Sequence, residues 1–360
     1  MISARSTLLL GVIFALGMGV ALGCKKESEV TGATSSSSGT ATSKPTPRTA
    51  VLRTKELPID RIYHSMQGPF DRVYVDFDEL DWVTGIRTDV VDLQTNEPIG
   101  GEFFCHSQVQ LLNGTRLLTM ATGADEIRFP EGFAMPISDI VEGQPEPHQA
   151  LTYLGMVLNN HETQIDRKTR VNATMEYFRD EDFGDAPRPK RLYMTSMLME
   201  VENLEEYVPG PDEPPISDDV TTHCALVEQP LGGKLKLHWM VPPGRQVTRK
   251  RYDSFLPIDG TVHFAWAHLH NYGVYMRLTD VTTGQVLFQA DVENEPDRDQ
   301  IANISQYSSA EGFRLYKDHV YEIEAAYDNT TDEDVDAMAM MVLYYNPEGD
   351  RAIRYRAAAN

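Results

Sequence analysis

The chain has 360 residues, with 54 acidic side chains against 32 basic ones and a formal net charge of −22. A surface of that sign repels nucleic-acid phosphates and anionic lipid headgroups, so we expect no nucleic-acid partner. The length suffices for two domains of ordinary size.

The N-terminus predicts a secretory signal. Arg5 precedes an apolar stretch at residues 8–22 that is too short to span a membrane as a mature helix. The sequence VALGC at residues 20–24 resembles a bacterial lipobox, which implies removal of residues 1–23 and acylation of Cys24. The alternative is an ordinary secretory signal with a chance cysteine. We expect a lipid-anchored protein of the bacterial cell envelope, periplasmic or on the outer membrane, whose anchor lies in the lipid bilayer.

Residues 24–49 are rich in Ser, Thr and Gly and include Pro45 and Pro47. Such a composition cannot bury a core, so we expect a flexible tether between the lipid and a globular body.

The body shows short segments of alternating apolar and polar residues, punctuated by Gly, Pro, Asn and Asp, which is typical of antiparallel sandwiches. The main predicted strands are 72–78, 103–111, 151–158, 171–178, 234–241, 275–280, 285–291, 320–326 and 338–345. Thr282, Thr283 and Gly284 predict a hairpin turn. We therefore predict an all-β fold with two jelly-roll-like antiparallel β-sandwich domains in tandem.

A segment at residues 206–221 combines several prolines with acidic side chains and predicts an inter-domain linker. It divides the body into an N-terminal sandwich at 50–205 and a C-terminal sandwich at 222–348, followed by a tail at 349–360.

Two cysteines remain once Cys24 is assigned to lipid. Outside the cytoplasm, Cys105 and Cys224 most simply form a disulfide, which would join the two halves. Each stands beside a histidine, His106 and His223, so a Cys/His metal cluster is the alternative.

The segment VHFAWAHLH at residues 262–270 predicts a buried strand that ends in two histidines. Strand alternation places five of its side chains on one face: Val262, Phe264, Trp266, His268 and His270. Two adjacent imidazoles at the end of an apolar face are a potential pair of metal ligands, and a thioether from DAMAMM at 336–341 would favour copper. The alternative is a hydrogen-bonded histidine pair at a sheet edge, beside a methionine-rich core strand.

Four motifs of the C-terminal half are similar, in order, to those of the copper type II ascorbate-dependent monooxygenases, the family of peptidylglycine α-hydroxylating monooxygenase and dopamine β-monooxygenase. They are HWMVPPG at 238–244, HLHNYG at 268–273, DHVYE at 318–322 and DAM at 336–338. The third departs from the family pattern, because Lys317 stands where a glycine is expected.

This resemblance implies a copper ion held by His268, His270 and Met338, at which oxygen is activated and a substrate C–H bond is attacked. These three residues would then be catalytic, acting on a small-molecule or peptide substrate with an external reductant. Met340 shares the predicted strand face of Met338 and is the alternative thioether.

The family's second copper delivers an electron and is bound by an adjacent His-His pair and a later histidine. The resemblance places Cys105 and His106 at the pair and His161 at the later position, so His106 and His161 are candidate ligands of a second copper. The cysteine leaves that site only two nitrogen ligands, and the chain is expected to hold one copper, or two if the second site forms.

We therefore expect a copper-dependent, monooxygenase-like envelope lipoprotein. The alternatives are a copper-binding or copper-delivery lipoprotein without turnover, and a metal-free β-sandwich binding module.

Overall fold

The computed structural model describes residues 45–65, 67–75, 81–111, 116–137, 151–160, 165–202, 235–296 and 299–353. Several predictions fall outside these ranges: the signal peptide, the lipidation of Cys24, most of the tether, the linker at 206–221, and the roles of His161 and Cys224. Within the described ranges, no helix has the length and apolar character needed to cross a membrane.

Almost all of the regular secondary structure is β-strand, and the predicted all-β sandwich class is confirmed. The strands are β1 (Arg48–Arg53), β2 (Leu57–Ile59), β3 (Phe70–Val75), β4 (Trp82–Asp92), β5 (Phe104–Leu111), β6 (Arg116–Ala121), β7 (Glu126–Arg128), β8 (Phe133–Pro136), β9 (Leu151–Val157), β10 (Arg167–Phe178), β11 (Lys190–Arg191), β12 (Tyr193–Leu198), β13 (Val201–Glu202), β14 (Leu235–Lys236), β15 (His238–Val241), β16 (Gly244–Tyr252), β17 (Gly260–Leu269), β18 (Gly273–Asp280), β19 (Gln285–Asn294), β20 (Ile301–Ile304), β21 (Tyr307–Leu315), β22 (Tyr321–Asn329) and β23 (Val335–Pro347). Short 3-10 helices span Gly101–Phe103, Asp180–Phe183 and Glu348–Asp350.

The strands of the N-terminal half form two sheets that pack against each other. One has the order β1-β10-β4-β8-β11, with β2 beside β10 and β7 beside β4, and the other has the order β3-β9-β5-β6. Pairing is antiparallel throughout these sheets except between β8 and β11.

The strands of the C-terminal half form a second pair of sheets. One has the order β12-β23-β17-β21, with β15 also paired to β23, and the other has the order β16-β22-β18-β19-β20. The predicted hairpin turn joins β18 to β19, where Gly284 has a φ of +75° that suits glycine and donates its N–H to the carbonyl of Asp280.

Two strands cross the division that the sequence predicts, β12 and the short strand β13, which pairs with β14. Strand β12 lies in the predicted N-terminal domain, but it pairs with β23 from Tyr193 opposite Tyr345 to Leu198 opposite Met340. The buried core is continuous through both halves, and residues Ser43–Asn360 form one compact unit. The boundaries at residues 205 and 222 lie outside the described ranges and stay predictions.

The predicted tether and one predicted strand are divided differently in the structure. Arg48 and Thr49, the last residues of the predicted tether, already belong to β1, which pairs with β10. The predicted strand at 234–241 is two strands, β14 and β15, which pair with different partners.

The central strands show no alternation between buried and exposed residues. Every residue of β5 and β9 is buried, and so are all residues of β17 except Thr261. The reason is coverage on both faces, because the sheet of β17 and β23 packs against the N-terminal half on one side and against the sheet of β22 on the other. Phe129, from the N-terminal half, contacts the rings of Phe264 and Tyr344 at this junction.

The expectation that Val262 shares the face of the two histidines is wrong. Val262 pairs with Tyr345 and Phe264 with the next residue, Tyr344, because a β-bulge at His263 shifts the register. The bulge moves Val262 to the opposite face, whereas Phe264, Trp266 and His268 keep a common one.

Candidate metal site

Strand β23 organises a cluster of histidines at the end of β17. Met340 lies opposite His268, and Met338 lies opposite His238 of β15, on the other side of β23. Residues 336, 338 and 340 alternate onto one face of β23, so Asp336 shares that face with both methionines. The strand pairing therefore places His268 and Met338 on the same face of one sheet, and the ring of His270, just after β17, lies 5.3 Å from that of His268.

Asp336 binds two imidazoles at once. Its Oδ2 accepts a hydrogen bond from His270 Nδ1 at 2.8 Å, and its Oδ1 accepts one from His238 Nδ1 at 3.1 Å. Burial opposes ionisation of this carboxyl group, but His270 and His238 hold its pKa well below the usual range. Ligand atoms of His238, His270 and Asp336 all lie within 4.8 Å of one another.

These bonds select one tautomer of each ring. Because a carboxylate only accepts hydrogen bonds, Nδ1 of His238 and Nδ1 of His270 each carry a proton, and Nε2 is the nitrogen left for a ligand. The Nε2 atom of His270 lies 3.3 Å from the hydroxyl of Ser65, which donates to it.

His268 lies deepest in the cluster. Its side chain is buried, and neither Nδ1 nor Nε2 has a hydrogen-bond partner among the residues that the structure describes. Burial, followed by the neighbouring histidines His106 and His270, lowers the pKa of His268 well below its ordinary value, so the ring is neutral near pH 7. A buried imidazole with two unpartnered nitrogens is costly without a ligand.

His106 reaches the same cluster from strand β5 of the N-terminal half. Its ring centroid lies 4.8 Å from that of His268. Its Nδ1 contacts the sulfur of Cys105 at 2.9 Å, whereas Nε2 has no partner within the described ranges. Burial, together with His270 and Arg116, lowers the pKa of His106 to about 3.

Consecutive rings of the cluster are spaced like neighbouring imidazoles on one ion, although among the described residues only His238, His270 and Asp336 bring three His, Cys, Asp or Glu ligand atoms within 4.8 Å of one another. A metal–imidazole bond of about 2.0 Å places a ring centre about 3 Å from the metal, so neighbouring ligands of a tetrahedral ion have ring centres about 5 Å apart. The observed spacings are 4.8 Å for His106 and His268, 5.3 Å for His268 and His270, and 5.1 Å for His270 and His238.

A tyrosine fixes the backbone on both sides of the cluster. The Tyr327 hydroxyl accepts the backbone N–H of His270 at 3.1 Å and donates to the backbone carbonyl of Met338. Burial raises the pKa of Tyr327, which keeps it a donor. The chain then turns sharply at Tyr272, whose φ of +67° is uncommon for a residue other than glycine and whose N–H bonds to Asn294.

The two methionines have different surroundings. Met340 Sδ lies 4.0 Å from Nη1 of Arg116, a guanidinium from strand β6. A cation beside a thioether disfavours a second cation there, so Met338 is the better candidate for a metal ligand.

Exposure of the cluster is uneven. His268 and His106 are buried, whereas the side chains of His238 and Asp336 are 17% and 27% exposed to solvent. Access from solvent is therefore from the side of His238 and Asp336.

The structure brings together four of the predicted site residues: His268, His270, Met338 and His106. Cys105 contacts His106, while its predicted disulfide partner Cys224 and the predicted ligand His161 lie outside the described ranges. The prediction missed His238 and Asp336, although both belong to motifs that carry the family resemblance, HWMVPPG and DAM. Asp336 is the aspartate of DAM, the same motif that supplies Met338, so the sequence did contain a signal for it.

No family model matches the chain, and no curated protein is significantly similar to it. Solved structures show distant likenesses. PBCV-1 VP54 fitted into a reconstruction of the virophage Sputnik matches with a TM-score of 0.34 and 8% identity, over 85% of this chain and 95% of that one. Peptide-N(4)-(N-acetyl-β-D-glucosaminyl) asparagine amidase matches with a TM-score of 0.33 and 8% identity, over 83% and 96%. A Paenibacillus xanthan lyase matches with a TM-score of 0.18 and 11% identity, over 83% of this chain and 25% of that one. These values carry no argument about function.

Proposed function

We propose that this protein binds copper through His268, His270 and Met338 and uses it for oxygen-dependent hydroxylation of an unactivated C–H bond. The observation that carries the proposal is that both nitrogens of His268, buried beside His270 on the face that Met338 shares, have no partner among the residues that the structure describes. An unsatisfied buried polar group costs about 1–3 kcal/mol, and coordination of a metal relieves that cost.

The donor set selects the metal. Imidazoles bind several transition ions, whereas a thioether is a soft ligand that favours copper in its reduced state. The lowered pKa of His268 keeps the ring neutral, which coordination of any of these ions requires.

The remaining residues have supporting roles. Asp336 holds the rings of His270 and His238 in the tautomer whose Nε2 is basic. Tyr327 fixes the spacing between the backbones of His270 and Met338. Copper bound here would supply dioxygen activation, and a small-molecule or peptide substrate and an external reductant would approach from the side of His238.

A specific observation favours a second candidate, a copper-binding or copper-delivery protein without turnover. His106, a candidate for the separate electron-delivering copper, lies beside His268 instead. A single closed centre suits storage or transfer of copper better than electron delivery between two separate sites.

We also propose that the chain is held at the bacterial envelope through acylated Cys24. The apolar stretch at 8–22 and the sequence VALGC at 20–24 support this proposal.

The experiment is oxygen consumption by the full copper-loaded chain in the presence of a reductant and a panel of C–H substrates. The matched variants are His268→Ala and His263→Ala, since His263 is also buried on β17 but its Nδ1 donates to the carbonyl of Ser309. Consumption that requires copper and is lost only in His268→Ala supports the hydroxylase. Bound copper without consumption supports the second candidate, and absence of bound copper contradicts both and leaves the metal-free binding module.

A further inference from the structure

We propose that His106 is a ligand of the same copper as His268, so that the metal centre is assembled from both halves of the chain. The inference rests on the proposed copper site and extends it, because it replaces two separate coppers with one shared centre.

The first support is geometric. Strand β5 and strand β17 belong to different sheets, yet the rings of His106 and His268 lie 4.8 Å apart at an interplanar angle of 65°. That separation is close to the spacing of about 5 Å expected for two imidazoles on one tetrahedral ion.

The second support is the orientation of His106. Its Nδ1 lies 2.9 Å from the sulfur of Cys105, and in the tautomer whose Nδ1–H donates to that sulfur Nε2 is the coordinating atom. Within the part of the chain that the structure describes, that Nε2 is buried and has no hydrogen-bond partner, like both nitrogens of His268. Unpartnered nitrogens on two rings in edge contact, within the described residues, are what an ion bound between the rings would satisfy.

The third support is a comparison between His106 and a buried histidine that has no proposed ligand role, His263. An imidazole kept only for packing would be expected to use its second nitrogen, as His263 does when it donates to Ser309 and stacks on Phe133 across the same junction. His263 is therefore the matched control: a buried histidine at the same junction between the two halves, but with a satisfied polar contact.

A metal bound in this way joins β5 to β17. Copper should consequently stabilise the junction of the two halves, and removal of His106 should reduce that stabilisation as well as the affinity.

The test compares copper(II) binding by the full wild-type chain with binding by His106→Asn, His268→Ala and His263→Ala. Asparagine retains a polar side chain next to Cys105 but removes the coordinating ring. We expect His106→Asn to weaken copper binding at least tenfold, to reduce the copper-induced rise in Tm and to change the copper electron paramagnetic resonance spectrum, while His263→Ala changes none of these. Unchanged affinity and spectrum in His106→Asn, with binding lost in His268→Ala, would overturn the shared centre and leave the proposed function standing. No copper bound by the wild-type chain would overturn both.

A second measurement applies if His106→Asn does not fold. X-ray absorption of copper-loaded His238→Ala counts imidazole ligands in a chain that keeps His106. Three imidazoles there support the shared centre, and two contradict it.

Discussion

The rings of His106 and His268 meet across the junction of the two halves, with their centroids 4.8 Å apart and three of their four nitrogens without a hydrogen-bond partner within the described ranges. This relationship locates the candidate copper centre at the junction rather than inside the C-terminal sandwich alone. Four predictions follow from the contacts around it and from the packing that holds it.

Asp336→Asn should weaken copper binding about 10–100-fold, the usual effect of losing a residue that orients metal-bound histidines. An amide offers one acceptor oxygen in place of two, so it cannot hold the Nδ1–H groups of both His270 and His238. Isothermal titration with copper measures the change. Asp328→Asn, at an exposed position on β22, is the control and should bind copper as the wild type does.

Met338→Leu should weaken copper(I) binding, whereas Met340→Leu should not. The two substitutions conserve volume and should each change the free energy of unfolding by less than about 1.5 kcal/mol. They differ because Met340 Sδ lies beside the guanidinium of Arg116. Competition with a copper(I) chelator measures both affinities. Equal affinities of the two variants would contradict the assignment of Met338 as a copper ligand.

The hairpin of the C-terminal half should lose stability in acid. Burial opposes ionisation of Asp280, but hydrogen bonds from His319 and Thr283 hold its pKa below the ordinary value. The folded pKa lies below the unfolded value of about 3.9, so the stabilisation is present above that pH and is lost as pH falls through the folded pKa.

Asp280→Asn keeps a turn acceptor but removes the charge, so the difference in free energy of unfolding between wild type and variant should shrink below about pH 4. Urea unfolding from pH 3 to pH 6 measures it. Asp92→Asn is the control, since Asp92 accepts the N–H groups of Gln94 and Thr95 in a similar turn at the end of β4. A constant difference across this range would show that the charge of Asp280 does not contribute.

Phe129→Ala should destabilise the chain by about 3–5 kcal/mol, the usual cost of removing a buried phenylalanine. Its ring packs on Phe264 and Tyr344, so the loss opens a cavity at the junction of the halves. Denaturant unfolding should shift as a single transition, because the core is continuous. Tyr74→Ala, at a residue that is 68% exposed, should change stability by less than about 0.5 kcal/mol. Two separate transitions would contradict a shared core.

Local pattern was enough to predict many of the strands, among them the histidine strand β17 and the methionine strand β23, which the structure pairs with each other. Alternation places Trp266 and His268 on one face, and the structure keeps them there. It could not reveal the bulge at His263. That irregularity depends on β21, where Val262 pairs with Phe313 and Phe264 with Ser308. Between these two positions the carbonyl of Ser309 accepts a hydrogen bond from His263 Nδ1.

The pair His268 and His270 could be predicted from the sequence, but the other residues of the site were harder to predict. His268 and His270 are neighbours in the chain, so their proximity follows from local geometry. His106 and Asp336 join them only through the packing of one sheet on another and through strand register. Such long-range contacts leave no periodic signal in the sequence. The sequence analysis therefore gives His106 a place in a second copper site and gives Asp336 no role.

The most direct test of the central claim is the copper content of the full chain, measured by elemental analysis after loading and dialysis, for wild type, for His268→Ala/His270→Ala and for His263→Ala. We expect one copper per chain in the wild type and in His263→Ala, and none in the double variant. Equal copper content in the wild type and the double variant, or no copper in the wild type, would contradict the assignment of the centre to His268 and His270.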